Sequence, residues 1–539
     1  MELVDQHTKS IMEGCKERAR AAGLSFSDET LEYIVSNRDM LELTPKNMIP
    51  TLYDYWVHDV EVLRERGRYE LYPHNPYETV INTRPAISFY NDNNPDWLNV
   101  MIFYHVLAHI DFFQNNIYFR HTWDYDFTAR ALADKRLIAA LRSRFGRWVD
   151  YVIEFARAID NLVDYHGLLG DLHRPENARS DGRTDYYFDV FLQQVQKVTT
   201  KDYLDEIDRY NACLREGGEL GEQAFFADVI KRFPEFEALY EKHRQKRIPP
   251  RDDLMLFLLQ ESDFLNREDN RWMKSILQVV RNTSIYFQPQ IRTKIMNEGW
   301  ASYWHEKLFL ADDRIRGHEV DFARVNAGVT ALPRVGMNPY ALGLRLFWHI
   351  EDLADRGCFS WDYQKLRDRD QRARFDRQTG QGQAAIFHVR ENLCDYLFLS
   401  RFVDQDFVDR HQLFVTEKRL NEERMTWEYR VGSRKADDYR TMLLDSLYHP
   451  PVIRIAQEQG EDGTLKLIHT FEGRPLVQEY IPGTLLGIEF LWGHPVELET
   501  WEMAPAPPPR PGEKAEPKWL RVRYRMEKRT IKREQLDAA

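Results

Sequence analysis

The sequence predicts a mainly α-helical protein, with one large helical domain followed by a small α+β domain. Three observations carry that prediction. Apolar residues recur at helical spacing from about Asp96 to about residue 410. Beyond about residue 430 the pattern turns to alternating segments separated by a glycine turn. With 539 residues, 43% apolar and 30% charged, the chain has a globular composition and the length to bury a large core.

Taken in order, residues 1–65 read as amphipathic helices, with "SDET" (Ser27–Thr30) as a start before "LEYIV". Residues 68–92 are rich in Tyr, Pro and Asn and read as irregular chain with a short strand or two. Helices are expected over 96–119, 126–143, 145–166, 186–198, 202–215, 252–261, 269–286, 290–310, 340–356 and 388–411. Pro289 suits the first turn of a helix continuing through Gln290 to Trp304. The charged, Gly/Gln-rich stretch 367–383 reads as an exposed connection. "DDYRTMLLDSLY" then reads as a helix. "PVIRIAQEQ", "TLKLIHTF" and "PVELETWEM" alternate as strands around a helix in "PLVQEYIPGTLLGIEFLW". "APAPPPRPGEKAEP" (504–517) is a Pro-rich, extended linker. The basic stretch after it either adds a strand pair to the small domain or forms an arm that is disordered or binds a partner. The expected divisions are 1–65 (N-terminal helical segment), 66–425 (main helical domain), 426–503 (α+β domain), 504–517 (linker) and 518–539 (basic tail).

Composition also excludes function classes. A formal charge of −12 speaks against a nucleic-acid partner. No run of about 18 apolar residues offers a membrane span, and the N-terminus lacks a basic region followed by an apolar one. Cys15, Cys213, Cys358 and Cys394 are scattered, without a CxxC pair, which argues against a disulfide framework. A cytoplasmic protein is expected.

Two stretches carry chemistry. In "YHVLAHIDFFQNNIYF", His105 and His109 are four residues apart, so on a helix both imidazoles share a face and can grip one ion. Asn116, seven residues on, falls on the same face. In "KIMNEGWASYWH" (294–305), Asn297, Glu298 and Gly299 precede an aromatic residue and Ala301. This segment resembles the Asn-Glu-Gly-aromatic-Ala segment of the gluzincin metallopeptidases. The resemblance implies that Glu298 completes a zinc site with His105 and His109, leaving a position for water. Where gluzincins carry a Glu after the first His, this chain has Val106, and the His pair lies much farther from the third ligand. The similarity therefore extends to a ligand set and not to membership, and Glu154 is a candidate for the missing base. His305 lies two helical turns beyond Glu298, roughly 10 Å of rise, so it belongs beside such a site. There it would donate to a substrate oxygen or shuttle a proton, unless it is a core histidine. Asn297 and Asn116 would orient the ligands. Arg292 and Lys294 would meet an anionic substrate or remain solvated surface. Asp150, Glu154, Asp160, Asp164 and His166 would build a di-metal site in a bundle, or simply form the polar face of a helix. For His349, Glu351 and Asp352 a core-plus-surface reading is preferred.

Several segments together resemble the SpoVR family (stage V sporulation protein R-like proteins). They are "RYELYPHNPYETVINTRP", "FFQNNIYF", "YFQPQIRTKIMNEGWASYWH", "GMNPYALG", "FHVRENLCDYLFLSRFVD", "LIHTFEGRPL" and "LWGHPVELET". The chain departs from that family's pattern in spacing its first His pair by four and in carrying only His58 within "YDYWVHDVE". The resemblance implies a link to spore cortex formation and to starvation or stress responses. It also implies a serine protein kinase encoded nearby. The function expected is a zinc-dependent hydrolase of amide or peptide bonds, acting on peptidoglycan-derived peptides. The alternative is a non-enzymatic regulator or scaffold working with the kinase.

Overall fold

In the computed structural model, the first helix, α1 (Gln6–Ala21), starts where the Asp5 carboxylate accepts from the Thr8 N–H at 2.7 Å. The structure describes residues 2–27, 29–36, 78–83, 85–120, 122, 127–173, 183–246, 253–421, 426–456, 460, 462–504 and 518–536. Residues 37–65 of the expected N-terminal segment, His58 among them, residues 68–77 of the Tyr/Pro-rich stretch and residues 505–517 of the Pro-rich linker lie outside these. The described residues are mainly helical, with three small sheets. They form two units, each drawn from two stretches of chain: 1–153 with 278–450, and 154–277 with 451–539. The divisions expected from composition were consecutive; these interleave.

The first unit is organised by α2 (Asp96–Asn115). Every residue from Leu98 to Phe113 is buried. A helix that is apolar on nearly all sides has no solvent face, so its few polar residues go into the core with it. Next come α3 (Arg271–Arg292), α4 (Lys294–Ala311), α5 (Glu319–Val329), α6 (Pro339–Asp355), α7 (Gly382–Asn392) and α8 (Asp395–Phe402). Helix α4 packs against both α2 and α6. Its contact with α6 is close because two glycines meet there. A Cβ on Gly299 would fall on the backbone of Gly343 and 2.8 Å from the Leu344 nitrogen; one on Gly343 would lie 2.6 Å from the Gly299 Cα.

Several expected elements differ. "LEYIV" is not a helix but most of strand β2 (Thr30–Val35). It joins β1 (Glu2–Leu3), β3 (Glu78–Ile81) and β4 (Ala86–Asn91) in the order β1-β2-β4-β3, parallel only between β2 and β4. Six residues fit either period, and its Thr, Tyr, Ile and Val favour the strand. Glu32 then turns inward to Lys16 of α1, 3.3 Å away. Pro289 does not open a helix. It lies within the last turn of α3, and the break falls at Thr293, whose hydroxyl donates to the Pro289 carbonyl at 2.7 Å. The expected helix 388–411 is three shorter ones, of which the last two are α8 and Gln405–Arg410. The charged connection contains a short helix, Arg369–Arg374.

After α8 come an antiparallel ribbon, β5 (Val415–Asn421) with β6 (Thr426–Ser433), and α9 (Ala436–Ser446). In the second unit, β7 (Ile453–Ile455), β8 (Leu465–His469), α10 (Ile481–Trp492) and β9 (Val496–Met503) follow the expected β-β-α-β order. The basic stretch adds β10 (Trp519–Glu527) and β11 (Thr530–Gln535), giving the order β11-β10-β9-β8-β7. Val522, Tyr524 and Met526 of β10 are buried, while Arg521 and Arg523 pair with Glu499 on β9. The tail's alternation of basic and apolar residues is that of a strand with one buried face. Among the described residues no helix is long and apolar enough to cross a membrane.

Candidate metal centre

Helix α2 carries His105 and His109 one turn apart, and α4 brings Asn297 and Glu298 to them. The two imidazole rings stand nearly perpendicular, with centroids 4.6 Å apart. One ligand atom from each of His105, His109 and Glu298 lies within 4.8 Å of the others. Among the described residues this is the only such gathering of three or more His, Cys, Asp or Glu. Each histidine is 5% exposed.

The hydrogen bonds fix the proton on each ring. His109 Nδ1 lies 2.9 Å from Asn297 Oδ1, and because that oxygen accepts, the proton sits on Nδ1. The other nitrogen, Nε2, faces Glu298 Oε2 at 3.6 Å; it presents a lone pair when the ring is neutral and ion-pairs with the carboxylate when the ring is protonated. That carboxylate oxygen is buried and has no hydrogen-bond partner.

His105 is held through a longer chain of contacts. Glu306 accepts from Asn326 Nδ2 at 2.9 Å, so Asn326 must turn its Oδ1 to His305, where it accepts from Nε2–H at 2.9 Å. His305 Nδ1 therefore carries a lone pair and accepts from His105 Nδ1–H at 2.8 Å. The Ala301 carbonyl also favours a proton on the His105 ring. The Tyr340 ring, from "NPYALG", stacks over His105 at 6.1 Å.

Burial pushes the His105 imidazolium well below its usual range, helped by the neighbouring His109 and His305 rings. His305 is pushed down to about 4, again by burial, with the Asn326 contact opposing it. Both rings are therefore held neutral at physiological pH, the form in which His105 can ligate a metal. A buried carboxylate oxygen facing an imidazole nitrogen calls for positive charge at that point, which either a proton on the ring or a cation between the two supplies. The donor set thus fits a divalent cation.

The remaining candidates separate. His305, 1% exposed, has both ring nitrogens engaged and reaches the pair only through His105. Asn116 does not orient the histidines. Its amide donates to the Arg390 and Leu393 carbonyls, and its oxygen accepts from the Tyr118 N–H. The seven-residue spacing fails because α2 ends at Asn115, so Asn116 leaves the helical face. Glu154 is exposed on the helix Trp148–Arg157, belongs to the second unit and is outside the triad. Asp150 pairs with Arg142, and no di-metal cluster forms with Asp160, Asp164 and His166 among the described residues. Arg292 donates to Gln288, Lys294 is exposed, and His349 pairs with Asp404. Asn326 and Glu306 were not foreseen, since neither lies in a recognisable pattern with His105. Tyr340 lay in a segment already singled out.

Comparison with known proteins places these motifs in context. The family described as SpoVR like protein matches residues 4–447. The "Uncharacterized protein YcgB" of Escherichia coli (strain K12) is 24% identical over 340 residues, which is 59% of this chain and 58% of that relative. The match thus spans little more than half of the relative's length. No solved structure matches the chain.

Proposed function

The chain belongs to the SpoVR-like protein family, and on that premise we propose that His105, His109 and Glu298 hold a zinc ion for the hydrolysis of an amide or peptide bond. The observation that carries this reading is the gathering of one ligand atom each from His105, His109 and Glu298 within 4.8 Å, with Glu298 Oε2 buried, without a hydrogen bond and 3.6 Å from His109 Nε2. Two imidazoles and one carboxylate form a gluzincin-like set that leaves a coordination position open for reaction. When bound, zinc supplies Lewis acidity, lowering the pKa of water and polarising a carbonyl.

The chain's own residues prepare that set. Asn297 keeps the His109 proton on Nδ1, and Glu306, Asn326 and His305 do the same for His105. His305 works as a positioning residue, since neither of its nitrogens is turned to a substrate. Glu154 is not among the three gathered ligands, and the general base is left unassigned. Peptidoglycan-derived peptides are the substrate class adopted, from the family's association with the spore cortex.

A second reading, a regulator acting with a serine protein kinase, draws on the depth of the two histidines: a buried polar cluster can serve structure alone. Elemental analysis of the purified full chain separates the two. The hydrolase reading expects stoichiometric zinc, lost in His109→Ala and Glu298→Ala while circular dichroism is unchanged. Peptide-bond cleavage should disappear with the metal. A protein free of metal, or one whose variants retain it, overturns that reading, and tight kinase binding by such a protein supports the second.

A further inference from the structure

The β5–β6 ribbon of the first unit exposes a largely apolar face, on which Lys418 lays its ammonium over the Trp427 ring at 4.9 Å. Trp427, Tyr429 and Val431 alternate along β6 and so share one side. Leu420 of β5 stands opposite Trp427 in the register and joins them. The four are 59%, 57%, 49% and 38% exposed, respectively, if taken in the order Trp427, Tyr429, Val431, Leu420. Contiguous apolar surface of this kind marks an interaction site. Among the described residues no strand pairs with the outer edge of β6, so its N–H and C=O groups are open to another strand. On the other side of the ribbon, β5 packs against α9, and its Val415 lies against the core.

The sequence of β6 is complementary to itself when read antiparallel. Centred on Tyr429, a second copy sets Arg430 against Glu428 and Val431 against Trp427, each pairing occurring twice across the two-fold axis. One face then carries a continuous Trp-Tyr-Val surface and the other carries two Glu–Arg pairs. Within one strand Arg430 and Glu428 already lie 3.6 Å apart, and the exposed Arg430 can turn to a partner instead. The same construction on β5, centred on Lys418, would oppose Lys418 to itself, and like charges directly opposite destabilise a sheet. We infer that β6 pairs with β6 of a second copy of this chain, joining two ribbons into a four-stranded sheet. Such a contact is isologous and uses the outer edge of β6 in each chain, so it closes as a dimer.

Sedimentation velocity on the full chain, over a wide range of concentration, tests this. The wild type should dimerise, and Arg430→Glu should weaken the dimer by about tenfold or more, because both cross-axis pairs become repulsive. Glu428→Arg reads the same repulsion from the other side. In the register of the ribbon Arg430 stands opposite Glu417 and Glu428 opposite Arg419, so the quadruple variant E417R/R419E/E428R/R430E restores complementarity both across the axis and across the ribbon, and should dimerise like the wild type. A wild type that is monomeric throughout, single variants that dimerise unchanged, or a quadruple variant that stays monomeric while folded would each overturn the inference.

Discussion

At the scale of residues, the centre rests on which nitrogen of each imidazole carries the proton. The sequence marked His105, His109, Glu298 and Asn297 because their types and spacings are those of a ligand set. It could not mark Asn326 or Glu306, whose roles exist only because α5 packs beside the end of α4. Removing His305 as His305→Ala leaves His105 Nδ1–H without its present acceptor, so the ring can turn or change tautomer. Metal affinity should fall about 10–100-fold, as measured by chelator competition. Asn326→Ala should act in the same direction through His305. In the metal-free protein, 15N NMR should find His105 protonated on Nδ1, and that signature should be lost in Asn326→Ala. An unchanged tautomer would show that the chain of contacts from Glu306 does not govern it.

At the scale of elements, two motifs read separately in the sequence prove to be one contact. The glycine of "NEGWA" and the glycine of "NPYALG" lie backbone to backbone where α4 meets α6. Gly299→Ala has no flexible side chain to displace and must push backbone aside. It should destabilise the protein by about 1–3 kcal/mol or more in a denaturant titration. The start of α4 is capped from a distance. Asp395 of α8 accepts from the Ile295 and Met296 N–H groups, each at 2.9 Å. Burial pushes the Asp395 carboxyl up to about 7, against the pull of those two donors. A carboxyl whose folded-state pKa is raised contributes stability fully below the unfolded value and loses it as pH rises through the folded value. With chelator present throughout, the denaturation midpoint should therefore fall between about pH 4 and pH 7, and Asp395→Asn should flatten that slope. An equal slope in the variant would assign the dependence to other groups. The two helix boundaries that sequence misplaced, at Pro289 and before "LEYIV", were decided by a threonine–carbonyl bond and by strand pairing; six residues that fit either period left the second to β-favouring side chains and to the partner strands.

At the scale of the whole molecule, the three candidate ligands lie entirely in one of two units, each with its own buried core. Ligand binding to a folded unit stabilises that unit by mass action, by about 2.7 kcal/mol when free ligand exceeds Kd a hundredfold. Scanning calorimetry of the zinc-loaded protein should thus show a transition that chelator lowers and another that it leaves in place. A uniform shift of the whole profile would mean that the units unfold together. The sequence by itself determined the helical class, the β-β-α-β order near the C-terminus, the family, and the residues that meet at the centre. These follow from hydrophobic period, turn residues and side-chain chemistry, which are local properties. Only the tertiary structure decided that α2 is buried on every side, that Asn116 is tied to α7 and its end rather than to the histidines, that the basic tail extends a sheet by two strands, and that the units interleave. Each of these depends on which distant segment covers a given face, and a one-dimensional pattern shows that a face is apolar without naming what will cover it.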